Sequence, residues 1–304
     1  MGGGIAGHEL AAAVSEAGGL GTIGILDPPA LREEIVAARG LTAKPIAVNL
    51  LLPFAGRAHW RAAGEADVVV TFWGAPTRRT DRVWIHQCGS VEEALAARSA
   101  GADAVIAQGA EAGGHVRGTL PALELLDRVR AALPGDCPVL LAGGVAEPED
   151  VRRALDAGAA AVVAGTRFLL SEESLASGEY KRRLLDAGTT VLTELFGAGW
   201  PDAPHRVVPN AATERWLRRD PRGPGAVRLL NRLSAPLASR LPVSVVNRVT
   251  AAQRPGLPLF GPAAPLAGAE ASSADAAPLY AGECVARIAE VGAAGALTRR
   301  LAGR

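Results

Sequence analysis

Two glycine-containing pairs, Gly143-Gly144 and Gly165-Thr166, combine the residue types that bind a phosphate group. Each pair follows a short apolar run with the composition of a buried strand. Glycines leave backbone N–H groups uncovered, and a threonine hydroxyl is a further hydrogen-bond donor. Either pair alone is equally compatible with a tight turn. Their occurrence after two consecutive predicted strands is what favours phosphate binding.

A third segment, Gln108 to His115 (QGAEAGGH), also follows a predicted strand. Gln108 can hydrogen-bond the edge of a heterocycle, and Gly113 and Gly114 let the backbone approach a planar ring. His115 can exchange a proton near neutral pH. A solvent-exposed loop histidine is the alternative interpretation, but the strand-end position favours a catalytic role. Arg117, close by in sequence, either adds positive charge there or faces solvent.

Polar residues inside apolar strands are further candidates. Asn49 is a lone amide that needs a buried partner, which a heterocycle or a structural contact could supply. In the run ending His86-Gln87, side chains alternate, so one of the two points into the sheet interior. We favour Gln87. Solvated surfaces are predicted for the remaining histidines: His8, His59 and His205.

The elements that must position these residues recur along the chain as short apolar strands, mostly followed by alanine-rich helices. Such alternation predicts a parallel sheet, and 304 residues suit a (β/α)₈ TIM barrel plus an added segment. The connection from Phe72 to Val83 is too short for a full helix. No strand precedes Met1, so the predicted barrel lacks its first strand. Seven strands are predicted: Gly21–Leu26, Pro45–Leu51, Asp67–Phe72, Arg82–Gln87, Ala104–Gln108, Pro138–Ala142 and Ala160–Gly165.

The repeat stops after about Ala203, which predicts a (β/α) barrel over residues 1–203 and a C-terminal helical and proline-rich appendage over residues 204–304 that packs on the barrel. Within the appendage, helices are predicted at Asn210–Arg219 and Glu283–Leu301. Gln253–Pro278 reads as an extended or mobile segment rather than a packed element.

Composition excludes several classes of function. The net charge of +1 comes from interspersed acids and bases, so no nucleic-acid partner is expected. No apolar run reaches the roughly 18 to 20 residues that cross a bilayer. Cys88, Cys137 and Cys284 lie far apart, which argues against disulfides and a metal site. We therefore expect a cytoplasmic protein with small-molecule partners and no membrane contact.

One motif favours a different fold. Gly2-x-Gly4-x-x-Gly7, followed by Asp27, matches the dinucleotide-binding fingerprint of a Rossmann domain. Its preceding strand is absent, and the later repeats continue past a six-stranded sheet. The barrel therefore remains the preferred prediction.

Four segments of the sequence are similar to a known family: the N-terminal glycines, QGAEAGGH, Gly143 to Ala146 and Gly165 to Phe168. Together they resemble the nitronate monooxygenase family, formerly called 2-nitropropane dioxygenases. The resemblance is dense from Met1 to about Ser174 and looser over Leu279–Gly282. It implies an FMN-binding TIM barrel in which His115 is the base or orienting group, with no metal. Flavin contacts are expected from the following residues: Met1, Gly2, Gly3, Asn49, Gln87, Gln108, Gly113, Gly143, Gly144, Val163, Ala164, Gly165, Thr166 and Tyr280.

The resemblance implies a flavin-dependent oxidoreductase acting on a nitronate or nitroalkane and O₂. In that chemistry the flavin takes one electron from an alkyl nitronate, and oxygen completes cleavage to a carbonyl compound and nitrite. Two alternatives stay open, a flavin-dependent enoyl-acyl-carrier-protein reductase and a non-catalytic barrel that binds FMN or another phosphorylated ligand. A homodimer is one open oligomeric state. Since the family's first strand should precede Met1, we expect either an upstream start codon or weak flavin binding.

Overall fold

The computed structural model describes residues 3–238 and 253–304. Within them the strands are β1 (Gly21–Ile23), β2 (Ile46–Leu51), β3 (Val68–Phe72), β4 (Val83–Cys88), β5 (Ala104–Gln108), β6 (Gly114–His115), β7 (Val139–Ala142), β8 (Ala161–Val163), β9 (Val191–Thr193) and β10 (His205–Val207). The helices are α1 (His8–Glu16), α2 (Pro28–Leu41), α3 (Arg57–Ala63), α4 (Val91–Ser99), α5 (Ala122–Ala132), α6 (Pro148–Asp156), α7 (Thr166–Leu169), α8 (Gly178–Leu185), α9 (Ala211–Trp216), α10 (Gly225–Ala238) and α11 (Ala294–Leu301). Among the helices of this described part, none has the length and apolar character needed to cross a membrane.

The chain forms two compact units. Unit 1 contains the described residues up to Ala112, together with Arg117–Leu175 and Glu290–Arg304. Unit 2 contains Gly113–Val116 and the described part of Ala176–Ala289. These units divide the chain at other positions than the predicted domains 1–203 and 204–304, because residues 176–203 pack within unit 2 and residues 290–304 within unit 1.

Unit 1 is built on one parallel sheet with the strand order β1-β2-β3-β4-β5-β7-β8. Helices alternate with most of these strands, which confirms the predicted TIM-barrel-like (β/α) fold. All seven predicted strands are present, with β1 and β8 at the two ends of the row. Between Phe72 and Val83 the chain contains no helix, as predicted from its glycine and proline content.

The two faces of this sheet carry different side chains, because successive residues of a strand point to opposite sides. Ala47, Val70, Ile85 and Ile106 belong to one buried cluster on the interior face. Their sequence neighbours pack instead against the helices, as Trp84 does in a cluster that includes residues of α4 and α5. This alternation determines which strand-end residues face the interior.

Capping residues and glycines define helix ends in unit 1. The Ser90 hydroxyl caps α4 by accepting a hydrogen bond of 3.3 Å from the Glu93 N–H. Gly101 and Gly158, which follow α4 and α6, have φ of +92° and +89°. Such left-handed residues end a helix and return the chain to the next strand.

Unit 2 contains a small antiparallel sheet with the strand order β6-β10-β9. Its core includes Leu195, Phe196, Val207 and Phe260. Phe260 is completely buried, so the prediction that Gln253–Pro278 contains no packed element is wrong. Helix α10 and strands β9 and β10 were not predicted from the sequence.

The predicted single helix over Glu283–Leu301 is wrong. A short 3₁₀ helix covers Glu283–Arg287, and α11 starts only at Ala294. Between them, Gly292 donates its N–H to the Leu170 carbonyl at 3.3 Å, and its own carbonyl accepts from the Glu172 N–H at 3.1 Å. Hydrogen bonds to a distant segment therefore replace those that would have continued the helix.

Candidate functional site

The first predicted phosphate loop follows β7. Gly143 and Gly144 have φ of +122° and +74°, which residues with a Cβ atom rarely adopt. The buried Asp150 carboxylate accepts hydrogen bonds from the N–H groups of Ala146 and Glu147 at 2.9 and 3.0 Å. The loop backbone is therefore held in a conformation that requires glycine.

The second loop follows β8, which is hydrogen-bonded to β7, so the two loops leave neighbouring strands. Gly165 precedes α7, and Thr166 at the start of that helix is buried. The buried Arg167 guanidinium donates hydrogen bonds to the carbonyls of Leu170 and Glu290. Arg167 thereby anchors the turn at which Gly165 and Thr166 stand.

A carboxylate lies beside the first loop. A Cβ atom added at Gly143 or Gly144 would be 3.5 Å from Cγ of Glu111. Both Glu111 oxygens accept from the Ala122 N–H, at 2.9 and 3.0 Å, at the beginning of α5. A helix N-terminus stabilises negative charge, so the Glu111 carboxylate is engaged by the helix. Two neighbouring glycine loops and a threonine hydroxyl fit a phosphate group.

Three predicted amide side chains share the interior face of the unit 1 sheet. Asn49 follows the interior residue Ala47 by two positions, and Gln87 and Gln108 follow Ile85 and Ile106 in the same way. Each amide both donates and accepts hydrogen bonds, as a polar heterocycle edge requires. The strand ends of unit 1 thus combine amides with phosphate-type loops.

His86 lies on the opposite, helix-covered face. Its Nδ1 atom is 2.7 Å from Thr71 Oγ1, which accepts a 2.8 Å hydrogen bond from Nε1 of Trp84. Because His86 is buried, its pKa is lowered to about 4. The preference for Gln87 over His86 at the interior is therefore consistent with the structure, and His86 is part of a buried structural network.

Gln108 and Arg117, which lie on either side of the glycines in this segment, are joined by a hydrogen bond. Gln108 Oε1 accepts a 3.0 Å hydrogen bond from the Arg117 N–H. The Arg117 guanidinium forms an ion pair with Glu93, with Nε at 2.6 Å, and lies 4.9 Å from the ring centroid of Trp73. Its positive charge is therefore balanced by Glu93, which limits the electrostatic role suggested by the sequence.

His115 belongs to β6 of unit 2 and pairs with His205 of β10. Its ring stacks on Trp200 with a centroid distance of 3.9 Å and an interplanar angle of 22°. Tyr280 is 5.6 Å away, and the Nε2 atom of His115 is buried. Burial, and to a lesser extent the proximity of His205, hold the pKa of His115 well below its usual value. The imidazole is neutral at pH 7 and can accept a proton.

His205 has a fixed tautomer. Nε2 accepts a 3.2 Å hydrogen bond from the Phe196 N–H, so Nδ1 carries the proton and donates to the Ala203 carbonyl at 2.9 Å. Burial lowers the pKa of His205 to about 4. The prediction of a solvated surface for this residue is wrong, since its exposed fraction is 0%.

The structure gives other reasons for three predicted contact residues of unit 2. A Cβ atom at Gly113 would lie 2.4 Å from the Gly282 backbone nitrogen, so close backbone packing already requires glycine there. Gly114 has φ of +75°. The Tyr280 hydroxyl donates to the Pro262 carbonyl at 2.8 Å. These positions are therefore constrained by the local fold as well as by any cofactor.

The remaining predictions have mixed outcomes. Met1 and Gly2 lie outside the described residues, and Gly3 has φ of +67°. Across residues 3–238 and 253–304, no cluster of side chains has the composition of a metal site.

Trp200 was missed, because a single tryptophan in a Gly-Trp-Pro loop carries no motif. Only the tertiary stacking on His115 identifies it.

Comparison with known proteins assigns the family. The family model described as "Nitronate monooxygenase" matches residues 1–75 and 73–301. The nitronate monooxygenase of Pseudomonas aeruginosa is 33% identical over 273 residues, covering 69% of this chain and 76% of that protein. The structure of nitroalkane oxidase from Streptomyces ansochromogenes has a TM-score of 0.77 and 30% identity, covering 100% of this chain and 93% of that chain.

FabK from Thermotoga maritima is a further structural relative, with a TM-score of 0.76 and 28% identity. That alignment covers 100% of this chain and 90% of FabK. The family match over almost the whole chain agrees with the loops and strand ends of unit 1 and with the histidine on β6. The chain therefore belongs to the nitronate monooxygenase family of oxidoreductases.

Proposed function

We propose that this protein uses FMN and O₂ to convert alkyl nitronates to carbonyl compounds and nitrite. The observation that carries the proposal is the combination, in unit 1, of two glycine loops on neighbouring strands with three interior amides. The bound flavin supplies the electron acceptor for this reaction. Membership of the family and the structural likeness to a nitroalkane oxidase support the same activity.

The proposed roles of the unit 1 residues follow from their chemistry. The Gly143-Gly144 and Gly165-Thr166 loops bind the phosphate through backbone N–H groups and the threonine hydroxyl. Asn49, Gln87 and Gln108 hydrogen-bond the edge of the ring system. The remaining flavin contacts stay predictions from the resemblance: Met1, Gly2, Gly3, Gly113, Val163, Ala164 and Tyr280.

His115 is proposed as the base. A neutral nitroalkane must lose a proton from carbon before it can react as a nitronate, and a neutral imidazole can accept that proton. A nitronate is already deprotonated, so His115 only orients it. The low pKa of His115 keeps the imidazole in the required neutral form at pH 7.

The test is to purify the chain, add FMN and remove the excess. Bound flavin is then measured from the visible spectrum, and nitrite release from propionate 3-nitronate is measured in air. We expect flavin absorption and nitrite formation that depends on O₂. Flavin-loaded protein that releases no nitrite from any alkyl nitronate would exclude the proposed activity.

The structural likeness to FabK keeps the enoyl-acyl-carrier-protein reductase as the second candidate. That activity requires a nicotinamide donor, so the same preparation is mixed with NADH or NADPH and an enoyl thioester. Oxidation of the nicotinamide only when the thioester is present would favour the reductase. Flavin binding without either activity would favour a non-catalytic barrel. The cytoplasmic location and a homodimer stay predictions.

A further inference from the structure

The loop that carries Trp200 is held by contacts within unit 2. The Trp200 N–H donates to the Gly197 carbonyl at 3.0 Å, closing a turn. Asp202, at φ +55°, forms a two-pronged ion pair with Arg232 at 2.7 to 3.0 Å. The carbonyl of the next residue, Ala203, accepts a hydrogen bond from His205 Nδ1. The tryptophan is therefore presented by an anchored loop.

The ring of His115 is surrounded by aromatic groups in the described part of unit 2. Trp200 covers one face at 3.9 Å, while the centroids of His205 and Tyr280 lie at 5.2 and 5.6 Å. Burial keeps His205 neutral and raises the pKa of the Tyr280 hydroxyl, so both are uncharged at pH 7. Residues alternate along β10, so Arg206 points away from the face that carries His205, and it pairs with Glu283 at 3.0 Å.

We propose that Trp200 is a positioning residue for His115: its indole lies flat on the imidazole, fixes the plane of the ring and shields one face from water. This inference rests on the proposed role of His115 as a base. The inference adds that Trp200 determines the orientation of the His115 ring and its affinity for a proton.

Two effects of the indole on the imidazole oppose each other. The indole face attracts the protonated ring, which raises the pKa by an amount on the order of 1. Exclusion of water lowers the pKa, by up to about 3 to 5 for a fully buried group. Because exclusion of water is the larger effect, removal of the indole admits water and should raise the pKa of His115. We expect the pKa of His115 to rise by about 1 to 2 in Trp200→Ala and by less than about 0.5 in Trp200→Phe, which keeps a flat ring over the imidazole.

The first experiment measures the imidazole directly by NMR titration of protein labelled with ¹⁵N-histidine, with His115 assigned from the spectrum of His115→Gln. Trp216→Ala is the matched control, because Trp216 also belongs to unit 2 and donates to the Pro255 carbonyl rather than stacking on His115. An unchanged or lowered pKa of His115 in Trp200→Ala, or an equal rise in the Trp216→Ala control, would overturn the proposal. If Trp200→Ala does not fold, Trp200→Leu serves in its place, since it keeps an apolar side chain but loses the flat stack.

The second experiment measures kcat/KM for nitroethane against pH. The acidic limb of the profile should move to higher pH in Trp200→Ala by the same amount as the NMR titration, and Trp200→Phe should restore the original profile. A parallel loss of activity at every pH would indicate a merely structural role and contradict the proposal. Absence of nitrite from the wild-type enzyme with both nitroethane and propionate 3-nitronate would exclude the proposed function, while the NMR result would still decide the role of Trp200.

Discussion

Replacement of Gly143 by alanine tests whether the backbone conformation of the first loop matters. A Cβ atom there would have ordinary contacts, the nearest being 3.5 Å from Ala112 N, Ala122 Cβ and Glu111 Cγ. Space for the methyl group is therefore available, and the free-energy cost of the substitution comes from the backbone φ of +122°. Such strain costs about 1 to 3 kcal/mol. For a chain of this size, that corresponds to a fall in Tm of roughly 2 to 5 °C.

The same substitution should weaken FMN binding. If the loop relieves the strain by rotating its peptide planes, the N–H groups no longer point at the phosphate. A loss of 1 to 3 kcal/mol of binding energy corresponds to a Kd about 5-fold to 150-fold higher. Tm is measured without FMN by calorimetry, and Kd by quenching of flavin fluorescence.

Gly135→Ala is the matched control. Gly135 does not have a positive φ, and a Cβ atom there would meet nothing within 4 Å. This variant should keep the wild-type Tm within about 2 °C and bind FMN normally. If Gly143→Ala had the same Tm and Kd as Gly135→Ala, the reasoning about the loop would be refuted.

Three further predictions concern side chains. His115→Asn should lower kcat/KM for a neutral nitroalkane by about 10² or more and that for its nitronate by less, as measured by nitrite release; equal losses would contradict a role as base. Asp150→Ala removes the acceptor for two loop N–H groups and should cost about 1 to 3 kcal/mol in urea unfolding, whereas Asp150→Asn, which keeps one acceptor oxygen, should cost less. The pKa values of His86 and His205 are lowered to about 4 in the folded chain. As the pH falls, these two histidines therefore become protonated in the unfolded chain before they do so in the folded chain. The free energy of unfolding should therefore be highest above pH 6.5 and fall by up to roughly 3 kcal/mol per histidine as pH approaches 4, less steeply in His86→Leu; a value independent of pH would contradict this.

The fold of unit 1 could be predicted because its pattern is local and repeated. Each strand is a short apolar run, and each has a helix or loop of limited length after it. Alternation along a strand indicated that one of His86 and Gln87 faces the interior, but it did not determine which of them does. The two glycine loops could be located because they follow strands that are consecutive in the sheet.

Unit 2 could not be predicted in the same way. Its strands contain only two or three residues, too few for a periodic pattern to appear. The pairing of His115 with His205 joins distant parts of the sequence, so nothing near His205 indicates its burial. The composition predicts one helix from Glu283 to Leu301, but Gly292 forms hydrogen bonds with Leu170 and Glu172, which lie much earlier in the chain, and these replace the helical ones.

Strand β6 has a consequence for dissection of the chain. The third strand of the small sheet is encoded within the barrel sequence, between Ala112 and Arg117, and not with the rest of unit 2. A fragment covering only residues 176–289 would leave the edge of β10 without its partner and the faces of Trp200 and Tyr280 without the imidazole. Such a fragment should expose backbone hydrogen-bonding groups and aggregate. Deletion of residues 113–116 from the full chain would remove the same strand, because unit 2 is built from two separate stretches of the sequence.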